Sequence, residues 1–291
     1  VSCPRRFLAA LWLGVALAGS ALAAAVEDRF FVTSDGVRLH YLEAGTGEQT
    51  LVFIPGWLMP AAVFGQQVES LSQHYRVLAL DPRSHGQSQV FPGAHTPTIR
   101  VRDIDEWLAA AKVGDFVLAG WSLGVLEGLD YLERYRPSGL RGLILIDNSI
   151  GEGTPPAPRS STFFEKLADP ARREALLKEF CAGLFRQPPP PGLLDTVQAS
   201  ALRVPAAAAR QTIAQPYPRT YWRDIVLRQE VPVLYAITPR YREQGDALAG
   251  KRPASSTVLV FEQAGHALFV DEPARFNAAA LELARRAFGR D

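Results

Sequence analysis

The chain is 291 residues long, 47% apolar and 21% charged, with 31 basic against 30 acidic side chains. That composition is long and apolar enough to bury a large core, and it excludes disordered, collagenous and coiled-coil proteins. Beyond pairs such as Arg172-Arg173 and Arg285-Arg286 there is no basic cluster, so nothing favours nucleic acid or another polyanion as a partner.

In chain order the first feature is an export signal over residues 1–23. Arg5-Arg6 precede the apolar run Phe7 to Ala18, which is followed by Gly19-Ser20 and Ala21-Leu22-Ala23, the basic, apolar and small-residue order of a secretory signal peptide. A transmembrane anchor wants about 20 strongly apolar residues. This run is shorter, so cleavage near Ala23 is expected, with no stable membrane anchor left behind. Val1 reads as an alternative bacterial start codon, and the expected location is periplasmic or secreted. Loss of Arg5 and Arg6 takes the basic count from 31 to 29 against 30 acidic residues. Cys3 leaves with the signal, and Cys181, set in an apolar pattern, reads as a small packing residue. Two cysteines and five scattered histidines have no zinc spacing, so neither a metal nor another cofactor is expected.

From Arg29 onward, short β-branched or aromatic runs predict strands at 30–33, 38–43, 51–54, 77–80, 116–119, 143–146, 233–237 and 258–261. Helical patterns lie between the later ones, at 104–112, 123–136 and 273–288, the last with proline in its first turn. The alternation implies an α/β fold: an eight-stranded, mostly parallel sheet with helices on both faces, fed by an amino-terminal hairpin. Residues 24–150 and 229–291 are assigned to this core. Residues 151–228 contain no convincing strand and read as a helical cap inserted after the sixth strand, with helical pieces at 163–167, 172–184 and 197–209.

The most informative segment is Phe116-Val117-Leu118-Ala119-Gly120-Trp121-Ser122-Leu123-Gly124, a strand that runs through G-x-S-x-G into a helix. A sharp turn of this kind holds a serine in a strained conformation, the flanking glycines let the chain approach closely, and the helix start favours developing negative charge. Ser122 is therefore the candidate nucleophile. A phosphate-binding turn would want more glycines and a lysine.

With Leu80-Asp81-Pro82-Arg83-Ser84-His85-Gly86-Gln87-Ser88 and Ala264-Gly265-His266, this motif resembles the α/β-hydrolases of the capped esterase, lactonase and non-haem haloperoxidase type. The resemblance implies an oxyanion hole of two backbone N–H groups. One is that of Leu123. The other comes from the loop after the third strand, where the family usually writes His-Gly and an apolar residue, and where this chain has Pro55-Gly56-Trp57. Trp57 is the candidate. The hydrolase order of serine, acid, histidine makes His266 the base, and His85 its one serious rival. The family usually carries the acid just beyond the seventh strand, but Ile237-Thr238-Pro239-Arg240-Tyr241 has no carboxylate. A family variation places it at the end of the sixth strand, where Leu143-Ile144-Leu145-Ile146 runs into Asp147. Asp147 is the assigned acid and Asp246 the alternative. Asp271 and Glu272 read as opening the terminal helix, and Asp81 as bracing its own loop.

The expected activity is that of an exported serine hydrolase acting through an acyl-enzyme on a small or medium carboxylic ester or lactone, as a monomer or homodimer, without a cofactor. A carbon–carbon bond hydrolase or a perhydrolase could use the same triad, and a catalytically silent fold that binds a ligand is the reading of another class. Epoxide hydrolases and haloalkane dehalogenases of this fold need a carboxylate where Ser122 stands.

Overall fold

The computed structural model describes residues 25–154 and 160–289. The export signal expected over residues 1–23 and the proline cluster Pro155-Pro156-Pro158 lie outside the described residues.

Strand β1 (Glu27–Val32) pairs antiparallel with β2 (Arg38–Ala44), which pairs antiparallel with β4 (Arg76–Asp81). The remaining strands, β3 (Thr50–Ile54), β5 (Phe116–Trp121), β6 (Leu140–Ile146), β7 (Val233–Ile237) and β8 (Ser256–Val260), continue the sheet in parallel. The spatial order is β1-β2-β4-β3-β5-β6-β7-β8. All eight strands stand where the β-branched runs predict them, within a few residues at their ends. After β3 the chain builds outward to β4 and then returns to the other side for β5, so the direction of winding reverses at β3. Open α/β sheets bind ligands in the crevice at the carboxyl ends of the strands flanking such a reversal.

Central strands are covered on both faces, which is why β3, β5 and β7 are buried along their whole length while β1, at the edge, is mostly exposed. The two-residue period divides the core between the faces. Leu51, Phe53, Val117 and Ala119 point to one side, where α1 (Gly65–Leu71) packs against α11 (Pro273–Ala287). Val52, Ile54 and Leu118 point to the other, where α3 (Leu123–Tyr135) lies against α2 (Pro97–Ala110). Two buried ion pairs fix α2: Arg100 makes two 2.8 Å bonds to Glu127 on α3, and Arg83 two 2.6 Å bonds to Asp103.

Between β6 and β7 the described residues form helices joined by loops, with no strand. The helices are α4 (Ser161–Ala168), α5 (Pro170–Ala182), α6 (Leu193–Arg203), α7 (Ala206–Ile213) and α8 (Arg219–Arg228). The pattern read as one helical piece over 197–209 is two helices, because Pro205 has no N–H to continue α6 and instead precedes the first turn of α7. Helix α8 buries Trp222, Ile225 and Val226 against α3 with the core, so α4–α7 are the part of this stretch that lies over the strand ends. Helix α9 (Arg242–Lys251) follows β7.

Candidate active site

Ser122 stands at the junction of β5 and α3 with φ 53° and ψ −119°. A side chain other than glycine costs on the order of 1–3 kcal/mol in such a region and persists only where its surroundings over-determine it. They do so here. The Ser122 N–H donates to Ile146 O at 2.9 Å, and its carbonyl accepts from Val125 N at 3.0 Å and from the Asn148 amide at 2.6 Å. Glycine is required on both sides of the serine: a Cβ on Gly120 would collide with the backbone of Gly124, and one on Gly124 with the carbonyls of Ile54 and Pro55. This backbone contact brings the loop after β3 against the start of α3. A Cβ on Gly56 would stand 3.1 Å from that of Ser122. The loop carrying Trp57 and the helix start carrying Leu123 therefore converge beside the serine, and the Leu123 N–H belongs to the first helical turn, where amides have no acceptor within the helix.

His266 lies in the loop after β8. Its Nδ1 donates to Asp147 Oδ2 at 2.7 Å, which leaves Nε2 as the nitrogen with a lone pair. The His266 carbonyl accepts from the Trp121 indole N–H at 2.9 Å, so the residue before the serine holds the backbone of the histidine. Asp147 follows β6 directly, at φ 44°. Its N–H donates to Ala236 O, and its Oδ1 accepts from Thr238 N at 2.7 Å and Thr238 Oγ1 at 2.8 Å. The carboxylate is 3% exposed and the imidazole 31%, a buried carboxylate behind an imidazole that reaches the cleft. Ser122, His266, Asp147 and Trp57 all line one cleft of about 940 Å³. Phe163 and Phe180 form part of its wall and meet the Trp57 ring at 5.7 and 5.1 Å. The Trp57 indole N–H donates to Ala209 O on α7 at 2.8 Å.

The other candidates stand elsewhere. Asp246, the alternative acid, is exposed on α9, and the carboxylate against His266 is that of Asp147. His85 is fully buried with Nδ1 donating to Arg83 O at 2.8 Å, and burial holds its pKa well below the usual imidazole range. His40 bonds Asp81 and Asp28, His95 bonds Ser84, and His74 is exposed after α1. Asp81 braces its loop by accepting from Ala61 N and Gln87 N. Asp271 does not serve the terminal helix as expected. It ends α10 (Leu268–Asp271) and accepts the N–H groups of Gly265, Arg186 and Gln187, tying the histidine loop to the turn beyond α5. Cys181 is buried and its thiol is pushed up to about 12 by burial, which makes it unreactive. Among the described residues no group of three or more His, Cys, Asp or Glu is placed to hold a metal ion, and no helix is long and apolar enough to cross a membrane.

Sequence reasoning passed over Thr238, Asn148 and the Trp121 indole. Thr238 had one available signal: it closes β7, the strand next to the one that carries Asp147.

The model of the alpha/beta hydrolase family matches residues 51–279. Over 120 residues the chain is 30% identical to N-formylmaleamate deformylase of Pseudomonas putida, covering 41% of this chain and 44% of that protein, so it spans under half the length of that relative. It is 27% identical to the pimeloyl-[acyl-carrier protein] methyl ester esterase of Edwardsiella ictaluri over 84% of this chain and 97% of that one. Among solved structures, an esterase from Exiguobacterium antarcticum superposes with a TM-score of 0.75 at 23% identity, covering 88% of this chain and 98% of the other. At that identity the likeness speaks to the fold alone.

Proposed function

Because this chain belongs to the alpha/beta hydrolase family, we propose that it is a serine hydrolase that cleaves a small or medium carboxylic ester or lactone through an acyl-enzyme. The observation that carries this reading is the 2.7 Å bond from His266 to Asp147 in the cleft that holds the strained Ser122. In the mechanism, Ser122 Oγ attacks the substrate carbonyl carbon as His266 Nε2 takes its proton, and Asp147 keeps the imidazole in the required tautomer and stabilises its charged form. The carbonyl oxygen becomes negative and is held by the N–H groups of Trp57 and Leu123. The intermediate collapses, His266 returns the proton to the leaving alcohol, and water attacks the acyl-enzyme by the same route to release the acid and free Ser122. The esterase names among its relatives support ester substrates. The amino-terminal segment 1–23 supports export, and with it a periplasmic or secreted enzyme.

The test is to incubate the protein with a fluorophosphonate and a series of p-nitrophenyl esters. Labelling and turnover are expected in the wild type and absent in Ser122→Ala. Asp147→Asn is expected to lower kcat by roughly 10⁴-fold, the loss typical of a triad acid, while Asp246→Asn leaves it near the wild-type value. Absence of labelling in a folded wild type would overturn the reading, and loss of turnover in Asp246→Asn alone would overturn the choice of acid.

A further inference from the structure

Resting on the hydrolase reading, we infer that the substrate carries an anionic group, a carboxylate or a similar oxyanion, remote from the carbonyl that Ser122 attacks. The cleft is two-sided in character. Trp57, Phe163, Phe180 and Leu184 give it an apolar wall, while Lys166 on α4, Arg186 beyond α5 and Arg240 in the turn after β7 give it a basic rim. None of these three cations forms an ion pair among the described residues, unlike their neighbours Lys178, which pairs with Glu174, and Arg242, which pairs with Glu262. Among the described residues Glu179 is the one other carboxylate lining the cleft besides Asp147, and Asp147 is turned to His266 and Thr238.

The two arginines stand on backbone that also positions the chemistry. Asp271 accepts the N–H of Arg186 at 3.0 Å and that of Gly265 at 2.6 Å, and Ala267 N donates to Leu184 O at 2.9 Å, so the main chain at Arg186 is fastened to the loop of His266. Arg240 follows Thr238, whose N–H and hydroxyl hold Asp147, by two residues. Lys166 follows Phe163, which packs on Trp57, by one helical turn. A single exposed cation contributes little to binding, because water and salt screen it. Three cations around one cleft outnumber its two carboxylates, Asp147 and Glu179, among the described residues, and raise the local potential, and with it the encounter rate and local concentration of an anion. Guanidinium groups also match the two oxygens of a carboxylate in geometry. A half-ester of a dicarboxylic acid would set its chain along the apolar wall, its ester at Ser122 and its free carboxylate at the rim.

The experiment compares mono-4-nitrophenyl adipate with methyl 4-nitrophenyl adipate, which have the same acyl chain and differ in the charge at its far end. The expected kcat/KM is about tenfold higher for the anionic ester at low ionic strength, with the advantage shrinking in about 0.5 M NaCl. Combining Lys166→Gln, Arg186→Gln and Arg240→Gln is expected to lower the anionic-to-neutral ratio by about tenfold, and Arg240→Glu alone serves if the triple variant does not fold. A neutral ester cleaved as fast as the anionic one, with a ratio indifferent to these variants and to salt, overturns the inference and leaves the serine hydrolase standing. A wild type that a fluorophosphonate does not label overturns the hydrolase reading itself. If the enzyme is labelled but turns over neither ester, protection of Ser122 by monomethyl adipate and not by dimethyl adipate upholds the inference, and equal protection or none overturns it.

Discussion

Asp147 holds a left-handed backbone conformation, φ 44°, that few side chains other than glycine adopt and that aspartate tolerates better than most. The turn aims one carboxylate oxygen at His266 and the other at Thr238, so the charge is held by three hydrogen bonds. Bonds to an ionised group are worth about 1.5–3 kcal/mol each. Thr238→Val removes the hydroxyl donor at nearly constant volume, and kcat is expected to fall about tenfold with KM little changed. Recovery in Thr238→Ser, measured by steady-state kinetics on one ester, would distinguish lost positioning from damaged packing, and an unchanged kcat in the valine variant would remove Thr238 from the positioning role. In the sequence, Ser122 and His266 could be picked out by local motifs and Asp147 by its place after the sixth strand together with the family resemblance, and the structure brings the three to one cleft. Thr238 and Asn148 could not be picked out, because what they do is decided by a residue on another strand.

The elements were legible in proportion to how much of their pattern is local. Central strands are continuous apolar runs and could be read to within a few residues. Helices α1 and α9 were not read, because the first is short and the second mostly polar along the chain. The role of Asp271 was invisible for the same reason that it matters: one carboxylate at the end of α10 collects N–H groups from two segments far apart in sequence. Asp271→Asn turns an amide donor toward some of those N–H groups. The expected cost is about 2 kcal/mol, a Tm lower by roughly 4–8 °C by calorimetry, and weaker turnover because the His266 loop loosens with it. An unshifted Tm would mean that the two segments hold each other without the clamp.

At the scale of the whole molecule, the buried imidazoles set an acid limit. Burial holds His85 well below the ordinary value of 6.5 and brings His95 to about 4. A charged His85 would also bury an Nε2–H that has no acceptor among the described residues. Above pH 6.5 these groups are neutral in both states. As pH falls from 6.5 towards 4, the unfolded chain takes up protons that the folded chain refuses, so stability declines through that window. His40 has the opposite sign. Burial opposes its charge, but its bonds to Asp81 and Asp28 outweigh burial and raise its pKa, so its contribution is complete below pH 6.5 and is lost only as pH rises. Calorimetry is therefore expected to give a lower Tm at pH 4.5 than at pH 6.5, and a flat profile would contradict the neutral state assigned to His85 and His95. The position of the acid has a different kind of consequence. The carboxylate that faces His266 follows β6, so the stretch from Pro239 to Lys251 beyond β7 supplies no hydrogen-bond partner to that imidazole among the described residues, and Thr238 just before it holds Asp147. The exposed face of that stretch, Arg240 included, can therefore be varied, by drift or by an engineer, to recruit new substrates, provided that Thr238 and the bonds that Gln244 accepts from Ser149 and Ile150 are kept.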